Sequence, residues 1–397
     1  MIYEEIPIEK LDVEVLDGDR GKNYPHKDEL MDHGHCLFLS ANNVTDDGFN
    51  FDSPVFISKE KDSVLRGGKL KRNDIVITTR GTIGNVCHYN HRVPYENVRI
   101  NSGMLIIRCG SNINSEYLYY ALRSSYFQAQ IKLSQTGSAQ PQLPKSLFVK
   151  LKVNIPPLLK QEEIANILST IDRKIDNNVA INDNLHRQLD AIFEKTCLHG
   201  TETTMTSLLK EIESGSRPKG GALTSGIPSI GAEKIEKFGV YNYKNEKYIS
   251  QEYFSQLKRG IVESGDVLLY KDGAYTGKVS MALDGFPHDV CAINEHVFIL
   301  RTQEKRFQSF LYACLSQESV RQSIYTLAAS KAAQPGLNKQ DLLTVKVILP
   351  SQKELNDFED IAHPIMKLIA VNALENKKLK EMREICLSKL MTGEIEV

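Results

Sequence analysis

The run INSGMLIIR, Ile100 to Arg108, returns as INEHVFILR, Ile293 to Arg301, 193 positions later, and the segments around it return at almost the same distance. EYLYYALRS falls against SFLYACLSQ at the same offset, AQPQL (Ala139 to Leu143) against AQPGL (Ala333 to Leu337) at 194, and Asp74 against Asp266 at 192. VNIPP (Val153 to Pro157) likewise meets VILPS (Val347 to Ser351). A period this long marks duplicated domains and not a stack of short repeats. Whatever fold one half adopts the other must adopt too, and any function has to account for two copies.

Each copy runs in one order. Short β-type runs (CLFLS, DIVITT and GMLIIR; then DVLLY and VFILR) are separated by Gly, Asn and Asp turns, and a helical pattern follows, SEYLYYALRSSYFQAQI with Ser115 as its expected N-cap. The fold class is therefore mixed α/β (α+β). Prolines mark the exit, Pro156 with Pro157 or Pro350, and a long charged helix comes next. The expected domains are 1–155, a first globular domain; 156–200, a central long helix; 201–350, a second globular domain; and 351–397, a C-terminal long helix.

The helical stretches carry a heptad pattern. Spacings of four and three link Ile164, Leu168, Ile171, Ile175, Asn178, Asn182, Leu185, Leu189 and Ile192, and they recur through Ile361, Ile365, Leu368, Asn372, Glu375, Leu379 and Met382. The expected seam runs through Ile171, Ile175, Asn182, Leu189, Ile361, Ile365, Asn372 and Leu379. Asn182 falls on Asn372, and an amide at a seam costs stability but selects register. Two domains related by a pseudo-two-fold rotation require the two coiled-coil helices to run antiparallel. Pro364 inside the second pattern is expected to kink or delay that helix.

Two glycine loops stand out, TTRGTIGNV (Thr78 to Val86) and YKDGAYTGKV (Tyr270 to Val279). Neither is a nucleotide loop: the second has one residue too few between Gly273 and Gly277 and Val279 where a hydroxyl must meet magnesium, and the first has Asn85 for the lysine. A strand-turn-strand reading fits both. The chain also lacks G-x-S-x-G and H-E-x-x-H, and NIPPL only approaches a methyltransferase tetrapeptide, so no catalytic residue is assigned. His33, His35 and Cys36 have no second ligand group at a zinc spacing, and no metal site is assigned.

What remains is binding chemistry. Candidate DNA contacts are Arg66, Lys69, Lys71 and Arg72 of RGGKLKR, a run that reads equally as a solvated basic turn; Arg80 and Thr82 of the first glycine loop; and Lys271, Tyr275 and Lys278 of the second. The AQP loops add Gln140, Gln142 and Lys145 in one copy and Lys331, Gln334 and Lys339 in the other, amide and cationic types suited to purine edges. Tyr117, Tyr119, Tyr120 and Phe310 lie at helical spacing and read as core. A net charge of −1 over 397 residues gives no global sign of nucleic-acid binding, and the seven cysteines have the irregular spacing of reduced thiols. No apolar stretch is long enough to span a membrane, and the start MIYEEIPIEK is acidic, so a cytoplasmic protein is expected.

The order of these parts resembles the specificity (S) subunit of type I restriction-modification systems. The resemblance rests on NDIVITTRGTIGNV with GDVLLYKDGAYTGKV, on the AQPQL and AQPGL loops, on QEEIANILSTIDRKID and on the closing LSKLMTGEI. It implies a non-catalytic subunit with two target-recognition domains, each reading one half of a bipartite sequence in double-stranded DNA. It further implies helices that dock two modification (M) subunits, with restriction (R) subunits joining the complex. No cofactor is expected in this chain; S-adenosylmethionine, ATP and magnesium belong to the partner subunits. The competing expectation is a two-headed protein-interaction scaffold that binds no DNA.

Overall fold

The structure is a computed structural model that describes residues 4–137, 140–330 and 335–395. The chain divides into two compact units, residues 1–173 with 380–397, and residues 174–379. The division cuts through both long helices, Leu158–Cys197 and Gln352–Thr392, so each unit contains a piece of each.

In the first unit an antiparallel sheet is ordered Val13–Asp17, Met104–Cys109, Ile75–Thr78, Val86–His88. Met104–Cys109 is central, and its apolar run Met104 to Ile107 is buried, as a strand covered on both faces must be. A second sheet sets Cys36–Leu39 between Phe56–Ile57 and Val98–Ile100, parallel to the latter. A two-stranded ribbon, Glu4–Pro7 with Lys152–Ile155, joins the start of the unit to the strand that leads into the first long helix.

The second unit has the same plan. Its sheet is ordered Leu209–Ser214, Val297–Thr302, Val267–Tyr270, Val279–Met281; its smaller sheet has Ile227–Ile230 between Tyr248–Ile249 and Ala292–Ile293; its ribbon pairs Thr201–Thr204 with Lys346–Leu349. The three sheets recur in both units, and the first unit adds a short hairpin, Val44–Thr45 with Gly48–Phe49, that has no counterpart among the described strands of the second.

A buried ion pair is repeated with it. Arg108 reaches Asp74 at 2.7 Å and Arg301 reaches Asp266 at 2.7 Å, and each carboxylate also accepts a main-chain N–H three residues upstream. Both aspartates are 1% exposed, so removing either arginine would strand a desolvated charge, a loss of roughly 3–5 kcal/mol.

The helical pattern after the central strand does not run as one element. It splits into Ser115–Arg123 and Ser125–Ser134 at Ser124, whose extended backbone interrupts the helix while its hydroxyl caps the second piece. The first N-cap is Asn114 and not Ser115, since the Asn114 side chain accepts from the Tyr117 N–H at 2.9 Å. Tyr117, Tyr120 and Phe310 are core residues as expected.

The long helices are built into the domain cores. Ile164, Ala165 and Leu168 of the first helix and Leu387, Leu390 and Met391 of the second belong to the core of the first unit. In the second unit Phe193, Phe310 and Phe358 bring together the first helix, a domain helix and the second helix, with ring centroids 5.2 to 6.2 Å apart. Within that unit the helices run antiparallel: Lys174 meets Glu375, Asn178 meets Asn376 and Asn182 meets Asn372.

The first helix follows the expected seam, with Ile171, Ile175, Asn182 and Leu189 buried. The second departs from it. Ile361 is 52% exposed and Leu368 45%, Ile365 and Leu379 are half-buried, and the buried line runs instead through Phe358, Ala362, Met366, Ile369, Ala370 and Ala373. Alanines at three of those positions let the helix close on its domain but carry too little apolar surface to compete with isoleucine and leucine in a pattern search. Pro364 neither delays nor interrupts the helix, which begins at Gln352. All seven cysteines are free thiols.

Candidate nucleic-acid interface

The two glycine loops are hairpin connections in the main sheets. Ile75 to Ile77 pair with Val86 to His88, and Val267 to Leu269 pair with Val279 to Met281. Gly81 and Gly84 take φ of 72° and 95°, and Gly273 and Gly277 take 122° and 100°, which is why glycines recur there. The second glycine of each loop closes the turn through its own amide, Gly84 N–H on the Thr78 carbonyl and Gly277 N–H on the Tyr270 carbonyl, both at 2.9 Å. The Lys278 ammonium sits on Glu236 at 2.7 Å.

Each hairpin is joined to the AQP loop of its own unit. In the first, the Leu143 N–H donates to the Thr79 carbonyl at 3.0 Å, the Thr79 N–H to the Gly103 carbonyl at 2.8 Å, and Arg80 bridges to Gln142. In the second, the Leu337 N–H donates to the Lys271 carbonyl at 2.8 Å, the Lys271 N–H to the His296 carbonyl at 3.1 Å, and Asp272 bridges to Gly336. Two loops more than fifty residues apart in sequence thus form one edge, wired alike in both units.

On the first edge Arg80, Thr82 and Gln140 are exposed, Gln142 is half-buried and exchanges two 2.9 Å main-chain bonds with Thr136, and Lys145 is exposed at the start of a short helix. The four cations of RGGKLKR are used differently. Lys69 lies 2.5 Å from Asp62 and 3.2 Å from Asn97, and Arg72 donates to the Asn90 and Val93 carbonyls while stacking on Tyr89, so these two are internal braces and not free contacts. Arg66 and Lys71 have exposed side chains, and their main-chain N–H groups are held by Asp19 and Asp74.

On the second edge Tyr275 is the prominent exposed aromatic, with the Lys278 ammonium 4.6 Å from its ring centre. Lys271 is braced between Asp272, at 2.8 Å, and the Phe298 ring. Lys339 donates to the Ile212 carbonyl, a tie within the domain. Lys331 and Gln334 lie outside the described residues. A polar cluster not assigned from sequence stands here: His296 approaches Asp272 at 3.1 Å and Glu295 at 3.4 Å, and Arg217 meets Glu295 at 2.8 Å. Its one sequence signal was the substitution of His296 for Gly103 in the repeated INEHVFILR run; Arg217 comes from a segment with no aligned partner motif.

Residues 13–187 match the profile described as the type I restriction modification DNA specificity domain. The MjaIX specificity subunit of a type I restriction enzyme from Methanocaldococcus jannaschii is 22% identical over 82% of this chain and 78% of its own. The EcoKI specificity subunit from Escherichia coli is 20% identical over 95% and 86%. Among solved structures, the S subunit of a type I restriction-modification system from M. genitalium covers 98% of this chain and 96% of its own length with a TM-score of 0.59 at 16% identity, a likeness of fold. Among the described residues, no helix is long and apolar enough to cross a membrane.

Proposed function

Because residues 13–187 belong to the type I restriction-modification DNA specificity domain family, and the chain resembles specificity subunits over most of its length, we propose that it is the DNA-recognition subunit of a type I restriction-modification complex. Each unit reads one half of a bipartite double-stranded target. The chain itself is non-catalytic. Modification subunits bring S-adenosylmethionine, and restriction subunits bring ATP and magnesium.

The observation that carries this reading is the repeated edge. Both units keep the same backbone wiring between hairpin and AQP loop while the side chains displayed there differ: Arg80, Thr82 and Gln140 on one, Asp272, Tyr275 and His296 on the other. One scaffold with different polar side chains is what two readers of different sequences require, since base edges are told apart by donor and acceptor pattern. A pure scaffold for one protein partner would have no use for that divergence. The reading also suits a near-neutral chain, because partner subunits would share the phosphate contacts that dominate affinity.

The docking of modification subunits is supported by apolar side chains that the folded helices leave in solvent. Ile361, Leu368 and Val371 form an exposed stripe on the second helix at spacings of seven and three. The test is DNA binding by the full chain with and without a co-expressed modification subunit across a salt series. Salt-sensitive binding to one two-part sequence supports the proposal. Absence of any sequence preference in the assembled complex would end it.

A further inference from the structure

Arg80 and Asp272 occupy the same position of the repeated edge, and they offer a base opposite hydrogen-bonding polarity. Each follows a residue clamped on both sides, Thr79 between Gly103 and Leu143, Lys271 between His296 and Leu337. Each forms the bridge to the AQP loop, Arg80 with Gln142 and Asp272 with Gly336. Each precedes a glycine of positive φ, Gly81 or Gly273. The backbone therefore fixes where both side chains start.

Their surroundings are matched to their charge. Position 103 beside Arg80 is a glycine whose Cβ, were there one, would stand 3.6 Å from the arginine Cβ, so no side chain braces Arg80 from that position, and the exposed guanidinium has no partner among the described residues. Beside Asp272 the corresponding residue is His296. Lys271 at 2.8 Å and His296 at 3.1 Å both hold Oδ2, leaving Oδ1 without a partner among the described residues.

Resting on the DNA-reading role proposed above, we infer that position 80/272 is a specificity determinant that selects guanine in the half-site of the first unit and cytosine in that of the second. A guanidinium has donors only and pairs with the two major-groove acceptors of guanine, O6 and N7. A carboxylate has acceptors only and takes the cytosine amino group; adenine also presents an amino group, but its neighbouring N7 acceptor repels the carboxylate. Lys271 and His296 orient the carboxylate and are positioning residues.

The test uses the assembled complex with its modification subunit and a library of randomised duplexes, comparing the wild type with Arg80→Gln and Asp272→Asn. Arg80→Gln is expected to lower the preference for guanine at one position of one half-site by roughly tenfold to a hundredfold, with adenine gaining and the other half-site unchanged. Asp272→Asn is expected to move one position of the other half-site from cytosine to adenine. The untouched half-site in each variant reports that the protein is folded. Uniform loss of affinity with the consensus unchanged in both variants would overturn the inference while leaving the reading role intact. A wild-type complex that selects no two-part sequence would overturn the reading role itself.

Discussion

The Asn372 side-chain amide donates to the Asn182 Oδ1 at 2.8 Å in the buried interface between the two long helices, and Asn182 in turn donates to the Ile369 carbonyl at 3.2 Å. The two residues are aligned by the internal repeat and also meet in space, so the antiparallel helix pair crosses there on equivalent positions. The contact lies within the second unit, beside Gly239, where an added Cβ would come within 3.3 Å of the Asn182 amide. It is a buried polar lock within that unit.

Truncating one partner leaves the other's amide buried and unpaired. Asn182→Ala should lower unfolding free energy by about 1–3 kcal/mol, and the double change Asn182→Leu with Asn372→Leu should be less damaging than either single leucine variant. Urea unfolding of the set checks this through the coupling energy. Additive losses would mean that the pair does not act as a unit.

Glu359 provides a pH signature. Its carboxyl is 3% exposed, accepts from the Phe310 N–H at 2.8 Å, and has its second oxygen unpartnered among the described residues; burial pushes its pKa up to about 7, only partly offset by that bond and by Ser309. The folded chain thus holds a proton on this group that the unfolded chain loses near 4.5. This stabilisation is full below that value and fades as pH rises through about 7. Glu359→Gln should match the wild type near pH 4 and exceed its stability at pH 8, a differential of about 3 kcal/mol. An equal difference at both pH values would contradict the assignment.

The exposed stripe of Ile361, Leu368 and Val371 predicts the docking surface. Replacing all three by Asp should leave the melting temperature nearly unchanged, since none is buried, yet abolish co-purification with the modification subunit. Retained co-purification would place that surface elsewhere.

Spacer length should follow helix length, but only if both helices change together. Asp172 meets Arg383 at 2.8 Å in the first unit while Asn182 meets Asn372 in the second, so lengthening one helix between them cannot preserve both pairs. Seven residues after Arg173 and seven after Leu379 keep the heptad phase and add roughly 10 Å, about three base pairs. Methylation mapping should find unchanged half-sites with a longer spacer, whereas insertion in one helix alone should destabilise the chain. An active double-insertion variant with the original spacer would remove the helices as the ruler.

The repeat made the architecture legible, because a duplicated order of strands, helix and exit constrains topology far more than any single propensity. It also made the Asn182 and Asn372 pairing legible, since amides are conspicuous on an apolar seam. The buried line of the second helix was not, because Ala362, Ala370 and Ala373 contribute closeness of approach and not bulk. At the candidate interface the sequence located both loops but could not say that hairpin and AQP loop share an edge, a fact of long-range backbone pairing. Nor could it separate Arg80, exposed and without a partner among the described residues, from Lys69 and Arg72, which have the same charge but are consumed by Asp62 and by carbonyls.

If two copies of one fold read two halves of one target, exchanging one copy must alter one half alone. The most direct measurement is methylome mapping in cells where residues 1–155 are replaced by the corresponding domain of a relative with a different specificity. One half of the methylated sequence should change, while the other half and the spacer stay as they were. Changes in both halves, or in neither while the complex remains active, would contradict that reading.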